Sequence, residues 1–95
     1  MTVLVTYDIR KDKLRTKMAD SLLEIGFTRV QKSVYLARIK KKTLAKWLQK
    51  YEPKLETDDK LYIINLSESR LRQMYAWGFD QNMDMILSRT KTLVI

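Results

Sequence analysis

The order in which the apolar residues change their period most constrains what this chain can fold into. Val3-Leu4-Val5-Thr6-Tyr7 is a β-branched and aromatic run of strand length that ends near Asp8. Leu14, Met18, Leu22 and Ile25 then recur at spacings of four, four and three, the stripe of an amphipathic helix. Asp12 is its expected N-cap, and Gly26 stands where a C′ glycine ends a helix. Phe27 to Ile39 reads as extended. Val30, Val34 and Leu36 share one parity and Lys32 breaks it, so a bend or bulge is expected near Gln31-Lys32-Ser33. Two strands with a sharp bend and one long strand both satisfy that pattern. Leu44, Trp47, Leu48 and Tyr51 place a second helix from about Thr43, which Pro53 disturbs or ends. Thr57-Asp58-Asp59-Lys60 is a polar turn. Leu61 to Leu66 is a third clear strand, expected to be central because both its faces are apolar.

These periods give the order β-α-β(β)-α-β, the split βαβ or ferredoxin-like arrangement: an α+β fold with an antiparallel sheet and both helices on one face. The 95 residues correspond to a single domain, and two glycines and one proline leave little chain for long irregular connections. Ser67 to Ile95 is the least patterned part. Met74-Tyr75-Ala76-Trp77 and Thr92-Leu93-Val94-Ile95 each read as a short strand, and Asn82 to Ser88 as a helical turn. An additional C-terminal strand gives a small open sheet an exposed apolar edge, which pairing with a second copy removes. A homodimer is expected on that ground, with residues 67–95 contributing to its contacts. Trp47 and Tyr51 lie on the helix stripe and read as core; Trp77 and Phe79, around Gly78, read as packing or dimer residues.

Composition narrows the chemistry. The chain has no Cys and no His. Disulfides, thiolate nucleophiles, Cys-based zinc sites, imidazole bases, Ser-His-Asp triads and HExxH helices are therefore excluded. Catalysis is left to carboxylates, hydroxyls, Lys or Arg, the backbone or a hard metal ion. Lys and Arg number 19 against 11 Asp and Glu, a net charge of +8, which favours a polyanionic partner, nucleic acid ahead of an anionic membrane surface. No apolar run approaches the roughly 20 residues of a membrane span. Asp8 and Arg10 interrupt the N-terminal run too early for a signal peptide, so a cytoplasmic protein with no membrane partner is expected.

Asp8 is the residue with the clearest chemical promise. It stands at the carboxyl end of the first strand, where ligand sites of open α/β sheets gather. A carboxylate there suits a hard cation such as Mg²⁺ (or Mn²⁺), which keeps several waters and takes one or two protein carboxylates. Two copies of Asp8 meeting across a dimer axis make a fuller site than one. The competing reading is a loop aspartate that caps the helix or pairs with Arg10. Arg10, Lys11, Lys13, Arg15 and Lys17 form one basic cluster, and Arg38, Lys40, Lys41 and Lys42 a second, ahead of the second helix. With few acids in the adjoining sequence, both suit phosphate neutralisation without base reading; a solvated face is the alternative. Arg29, Gln31, Ser33 and Tyr35 have one parity and share a sheet face if no bulge intervenes.

Three segments together resemble one family. Val3-Leu4-Val5-Thr6-Tyr7-Asp8-Ile9 resembles its first strand, Leu14-Arg15-Thr16-Lys17 the start of its first helix, and Gly26 to Tyr35, containing Arg29-Val30-Gln31-Lys32-Ser33-Val34-Tyr35, its R-[VI]-Q-x-S-V-[FY] segment. The family is the small CRISPR-associated adaptation protein, here written Cas-two. The resemblance is clear over residues 2 to 66 and looser beyond. It implies a ferredoxin-like homodimer whose C-terminal strands pair between protomers. It implies a place at the centre of the spacer-integration complex, flanked by dimers of the integrase subunit, with double-stranded DNA across it. It also implies a metal-dependent endonuclease on single-stranded RNA or double-stranded DNA, with Asp8 as the metal ligand. Tyr7, Arg15, Arg29 and Tyr35 match positions associated with activity or substrate contact. Lys17 stands where some members carry a second Arg, so bidentate phosphate contact is not available there. A non-catalytic DNA-bridging adaptor and a related ferredoxin-like ribonuclease toxin are the alternative functions.

Overall fold

The computed structural model describes residues 1–74. The elements are β1 (Thr2–Asp8), α1 (Asp12–Glu24), β2 (Thr28–Gln31), β3 (Val34–Arg38), α2 (Lys41–Tyr51), a single 3₁₀ turn (Glu52–Lys54), β4 (Lys60–Leu66) and α3 (Glu68–Arg72). The sheet runs β2-β3-β1-β4 with every neighbouring pair antiparallel, which is the expected α+β, ferredoxin-like order. The strands expected at Met74–Trp77 and Thr92–Ile95, the turn at Asn82–Ser88, Trp77, Phe79 and most of the 67–95 dimer segment lie outside the described residues.

Alternation along β1 divides the molecule into two layers. Val3, Val5 and Tyr7 enter the main core with Met18, Leu22, Phe27, Tyr35, Trp47 and Tyr51. Met18 and Leu22 are fully buried, each worth about 1.5–3 kcal/mol of transfer free energy. Leu4 faces the other way, onto a smaller cluster of Val30, Leu36 and Leu71. Helices α1 and α2 therefore cover one face of the sheet. The other face is covered only in part among the described residues, by the short α3 through Leu71.

Helix α1 ends as its sequence predicts. Gly26 has φ +110°, its N–H reaches the Leu23 carbonyl (3.2 Å), and the Phe27 N–H reaches the Leu22 carbonyl (2.9 Å), the paired bonds of a Schellman end. The start differs from expectation. Lys11 is the N-cap and Asp12 the first helical residue, and no side chain caps the helix. Asp12 is drawn instead into an ion pair with Arg15. The extended segment is two strands, joined at Lys32-Ser33, with Ser33 at φ +63°. The expected bend falls at Lys32-Ser33, and a bulge lies just before it, at Val30: Arg29 pairs with Tyr35, whereas Gln31 pairs with Val34.

Helix α2 begins at Lys41, two residues before the expected Thr43, because its apolar stripe starts only in the second turn. Lys40 is the N-cap, so Lys41 and Lys42 belong to the helix rather than to the chain before it. Pro53 sits in the 3₁₀ turn that ends α2, as expected. Among the described residues β4 pairs only with β1, so it is an edge strand and β1 is central. Its apolar faces have different roles. Leu61 and Ile63 pack on the main core, whereas Tyr62 (56% exposed) and Ile64 (44% exposed) stand open on the other side. Among the described residues, the two apolar faces of β4 therefore go with one hydrogen-bonded neighbour, not the two expected of a central strand.

Candidate functional site

Tyr7 and Asp8 are consecutive on β1, so they leave the sheet on opposite faces. That alternation splits the predicted catalytic group in two. Tyr7, Arg15, Arg29 and Tyr35 come together on the helix side, where with Thr16, Ala19, Lys32 and Ser33 they line a cleft of about 230 Å³. Asp8 is not in it.

Within the cleft, β1 supplies Tyr7, α1 supplies Arg15, Thr16 and Ala19, and the β2–β3 hairpin supplies Arg29, Lys32, Ser33 and Tyr35. The bulge places Arg29 on Tyr35's face and sends Gln31 to the opposite one, so the quartet of one parity does not share a face. The Tyr7 hydroxyl donates to the Tyr35 hydroxyl at 3.2 Å, and the two rings stack with centroids 5.8 Å apart. Burial, followed by the Tyr35 hydrogen bond, holds the Tyr7 phenol well above the usual range; Arg29 and Arg15 oppose the shift without cancelling it. Tyr7 is therefore a fixed donor and no base at neutral pH. With Tyr35 accepting from Tyr7, the Tyr35 proton is available to the cleft. Arg15 is positioned by the Ile9 carbonyl (2.8 Å from its Nη1) and by Asp12. Cations and hydroxyls converging on one small recess suit a phosphate.

Asp8 is exposed, and among the described residues no hydrogen bond or ion pair reaches its carboxylate. Neither of the plain roles considered for it is used: Arg10 pairs with Asp58 at 2.9 Å, and α1 has no side-chain cap. Directly across the ladder from Asp8 is Lys60, with Thr6 opposite Tyr62 one pair away on the same face. No group of three or more Asp, Glu, His or Cys side chains gathers among the described residues. The donor available to a hard cation is thus one carboxylate per chain, right in kind and half of what a shared site would use.

The first basic cluster is less open than its sequence suggests, because the 56–59 turn brings acids to it. Arg10 meets Asp58, and Lys11 meets Glu56 at 2.6 Å, which raises the Lys11 pKa chiefly through that hydrogen bond. Asp59 accepts the Arg10 N–H (3.2 Å) and the Glu56 N–H (2.9 Å), which lower its pKa. Lys13 and Lys17 line a shallow depression with Lys11, Leu14 and Lys54. In the second cluster, Arg38 ends β3 on the face opposite Ala37, and Lys40, Lys41 and Lys42 surround the N-terminus of α2, with no acid in its first turn. Thr16 and Lys60 were not singled out from the sequence, because only the packing of α1 on the hairpin and the β1–β4 register bring them to these sites. Lys46 and Lys50 carried a signal that was available: Lys42, Lys46, Lys50 and Lys54 recur every fourth residue.

The family model for CRISPR associated protein Cas2 matches residues 1–74. A CRISPR-associated endoribonuclease Cas2 of Aeropyrum pernix is 38% identical over 78 residues, covering 80% of this chain and 84% of that protein. CRISPR-associated endoribonuclease Cas2 1 of Francisella tularensis subsp. novicida is 33% identical over 79 residues, covering 81% of this chain and 79% of its own. The crystal structure of Streptococcus pyogenes Cas2 superposes with a TM-score of 0.68 at 23% identity, covering 82% of this chain and 100% of that one, a likeness of fold.

Proposed function

The chain belongs to the Cas2 family of CRISPR-associated proteins, and from that membership we propose that it is a nucleic-acid-binding homodimer of spacer acquisition. In this reading it works beside an integrase subunit and is a metal-dependent endonuclease on single-stranded RNA or double-stranded DNA. The relatives above are named endoribonucleases, which supports the nuclease part. The observation that carries it is Asp8: an exposed carboxylate with no partner among the described residues, at the end of the central strand and on the less covered face of the sheet.

Two Asp8 side chains brought together by dimerisation would hold Mg²⁺ (or Mn²⁺). That ion supplies Lewis acidity, acidifying water and neutralising charge on a phosphate. The chain's own residues do the rest. Arg38 and Lys40 to Lys42 hold the phosphate backbone, joined by Lys13 and Lys17, with Arg10, Lys11 and their acidic neighbours at the margin. Arg15, Arg29 and the Tyr7–Tyr35 pair orient a phosphate in the cleft.

The test is Asp8→Asn, assayed with Mg²⁺ on RNA and duplex DNA. Loss of cleavage with unchanged nucleic-acid binding is expected; undiminished cleavage by pure variant sinks the metal assignment. A second reading, the non-catalytic DNA-bridging adaptor, is favoured by the separation of Asp8 from the arginine–tyrosine cleft. It predicts that Asp8→Asn acquires spacers normally while charge reversal at Lys40 to Lys42 does not.

A further inference from the structure

A groove of about 450 Å³ lies between α1 and α2, on the side of the molecule opposite Asp8. One of its walls is basic. Lys42, Lys46 and Lys50 follow at one-turn intervals along α2, with Lys40 at the helix start, where the helix dipole adds positive potential. The other wall, from α1, offers Ser21, Glu24 and Ile25. The floor is apolar: Trp47 and Tyr51 are 5% and 3% exposed. It is also preformed. Trp47 Nε1 donates to Ser21 Oγ at 2.8 Å, tying the two helices together, and the Lys50 ammonium lies 5.4 Å from the Tyr51 ring centroid.

We propose that this groove docks an acidic amphipathic segment of a partner protein. Carboxylates of the segment lie along Lys46 and Lys50, beyond the Lys40–Lys42 end of α2 that is assigned to phosphate, and an apolar side chain fills the recess over Ile25, Trp47 and Tyr51. The one-sided charge favours a peptide over a nucleic-acid strand. A phosphate backbone has no apolar edge for the floor, and the buried rings offer no face on which a base can stack. Lysine ammonium groups are point charges that accept a carboxylate from many directions. The peptide mode is that of a helix in a groove, with specificity from the apolar anchor and orientation from the single basic wall.

The experiment is fluorescence anisotropy of the full chain with a labelled helical peptide bearing a row of glutamates beside a row of leucines. Binding is expected, and the pair Lys46→Glu with Lys50→Glu weakens it by at least ~10-fold. The same double reversal at Arg70 and Arg72, on α3 across the sheet, leaves it within about twofold. A peptide with lysines in place of the glutamates does not bind. Equal loss in both double variants overturns the proposal, since general attraction then explains the binding. So does absence of binding. If a short DNA duplex displaces the peptide and itself loses affinity in the Lys46/Lys50 variant, the groove is a nucleic-acid surface and the peptide assignment falls.

Discussion

Replacing Lys40, Lys41 and Lys42 together by glutamine should weaken nucleic-acid binding while making the protein more stable. The three lysines occupy the N-cap and first turn of α2, with no acid in that turn. The positive end of the helix dipole opposes each by ~0.3–1 kcal/mol, so their neutralisation returns about 1–3 kcal/mol to the fold. On duplex DNA, each phosphate contact contributes ~0.9 to the slope of log affinity against log salt, so three give a change of ~2.7. Over a fourfold rise in salt that slope difference is a factor of about 40 in affinity. Arg10→Gln with Lys11→Gln should change the slope less per residue, because Asp58 and Glu56 already serve those cations as counter-ions. The assay is a salt titration of DNA affinity, with urea denaturation of the same free proteins. A slope unchanged by the triple substitution refutes the phosphate assignment. A triple variant less stable than its parent refutes the dipole reasoning.

Three further outcomes are expected. Tyr7→Phe removes the buried hydroxyl pair and should cost about 0.5–1.5 kcal/mol by denaturant midpoint, while unchanged stability would show that the 3.2 Å contact contributes nothing. Asp59 has a lowered pKa, so its contribution is present above its ordinary value of 3.8 and is lost as pH falls through the folded-state value; Asp59→Asn should be less stable at neutral pH and converge with the parent in acid, and a gap independent of pH contradicts this. Gly26→Ala meets open space but must adopt φ +110°, so calorimetry should show a loss of about 1 kcal/mol or more that comes from the backbone alone, and no loss would mean that the helix end rearranges.

The periods of apolar residues carried most of the fold. Gly26 ended α1 where its spacing placed it, because a left-handed C′ position admits few other residues. The alternation of Val3, Val5 and Tyr7 was legible, and with it the opposite orientation of Asp8, although its consequence for a catalytic group was not. What stayed hidden depended on long-range pairing. The acids of the 56–59 turn reach Arg10 and Lys11 from more than forty positions away, and no local pattern announces them. Among the described residues β4 has β1 as its one neighbour, and the apolar outer face that suggested a central strand carries the exposed Tyr62 and Ile64. A bend or bulge was expected near Gln31-Lys32-Ser33, but only the β2–β3 register shows that the extra residue is Val30, between Arg29 and Gln31.

Tyr7 and Asp8 sit one residue apart on a strand laddered to β3 along most of its length and to β4 along all of it. The sheet there is a partition one strand thick, with the hydroxyl of Tyr7 on one side and the carboxylate of Asp8 on the other. A molecule seated against one of them meets only backbone in the direction of the other, so each surface can be altered by substitution without changing the side chains that the other presents.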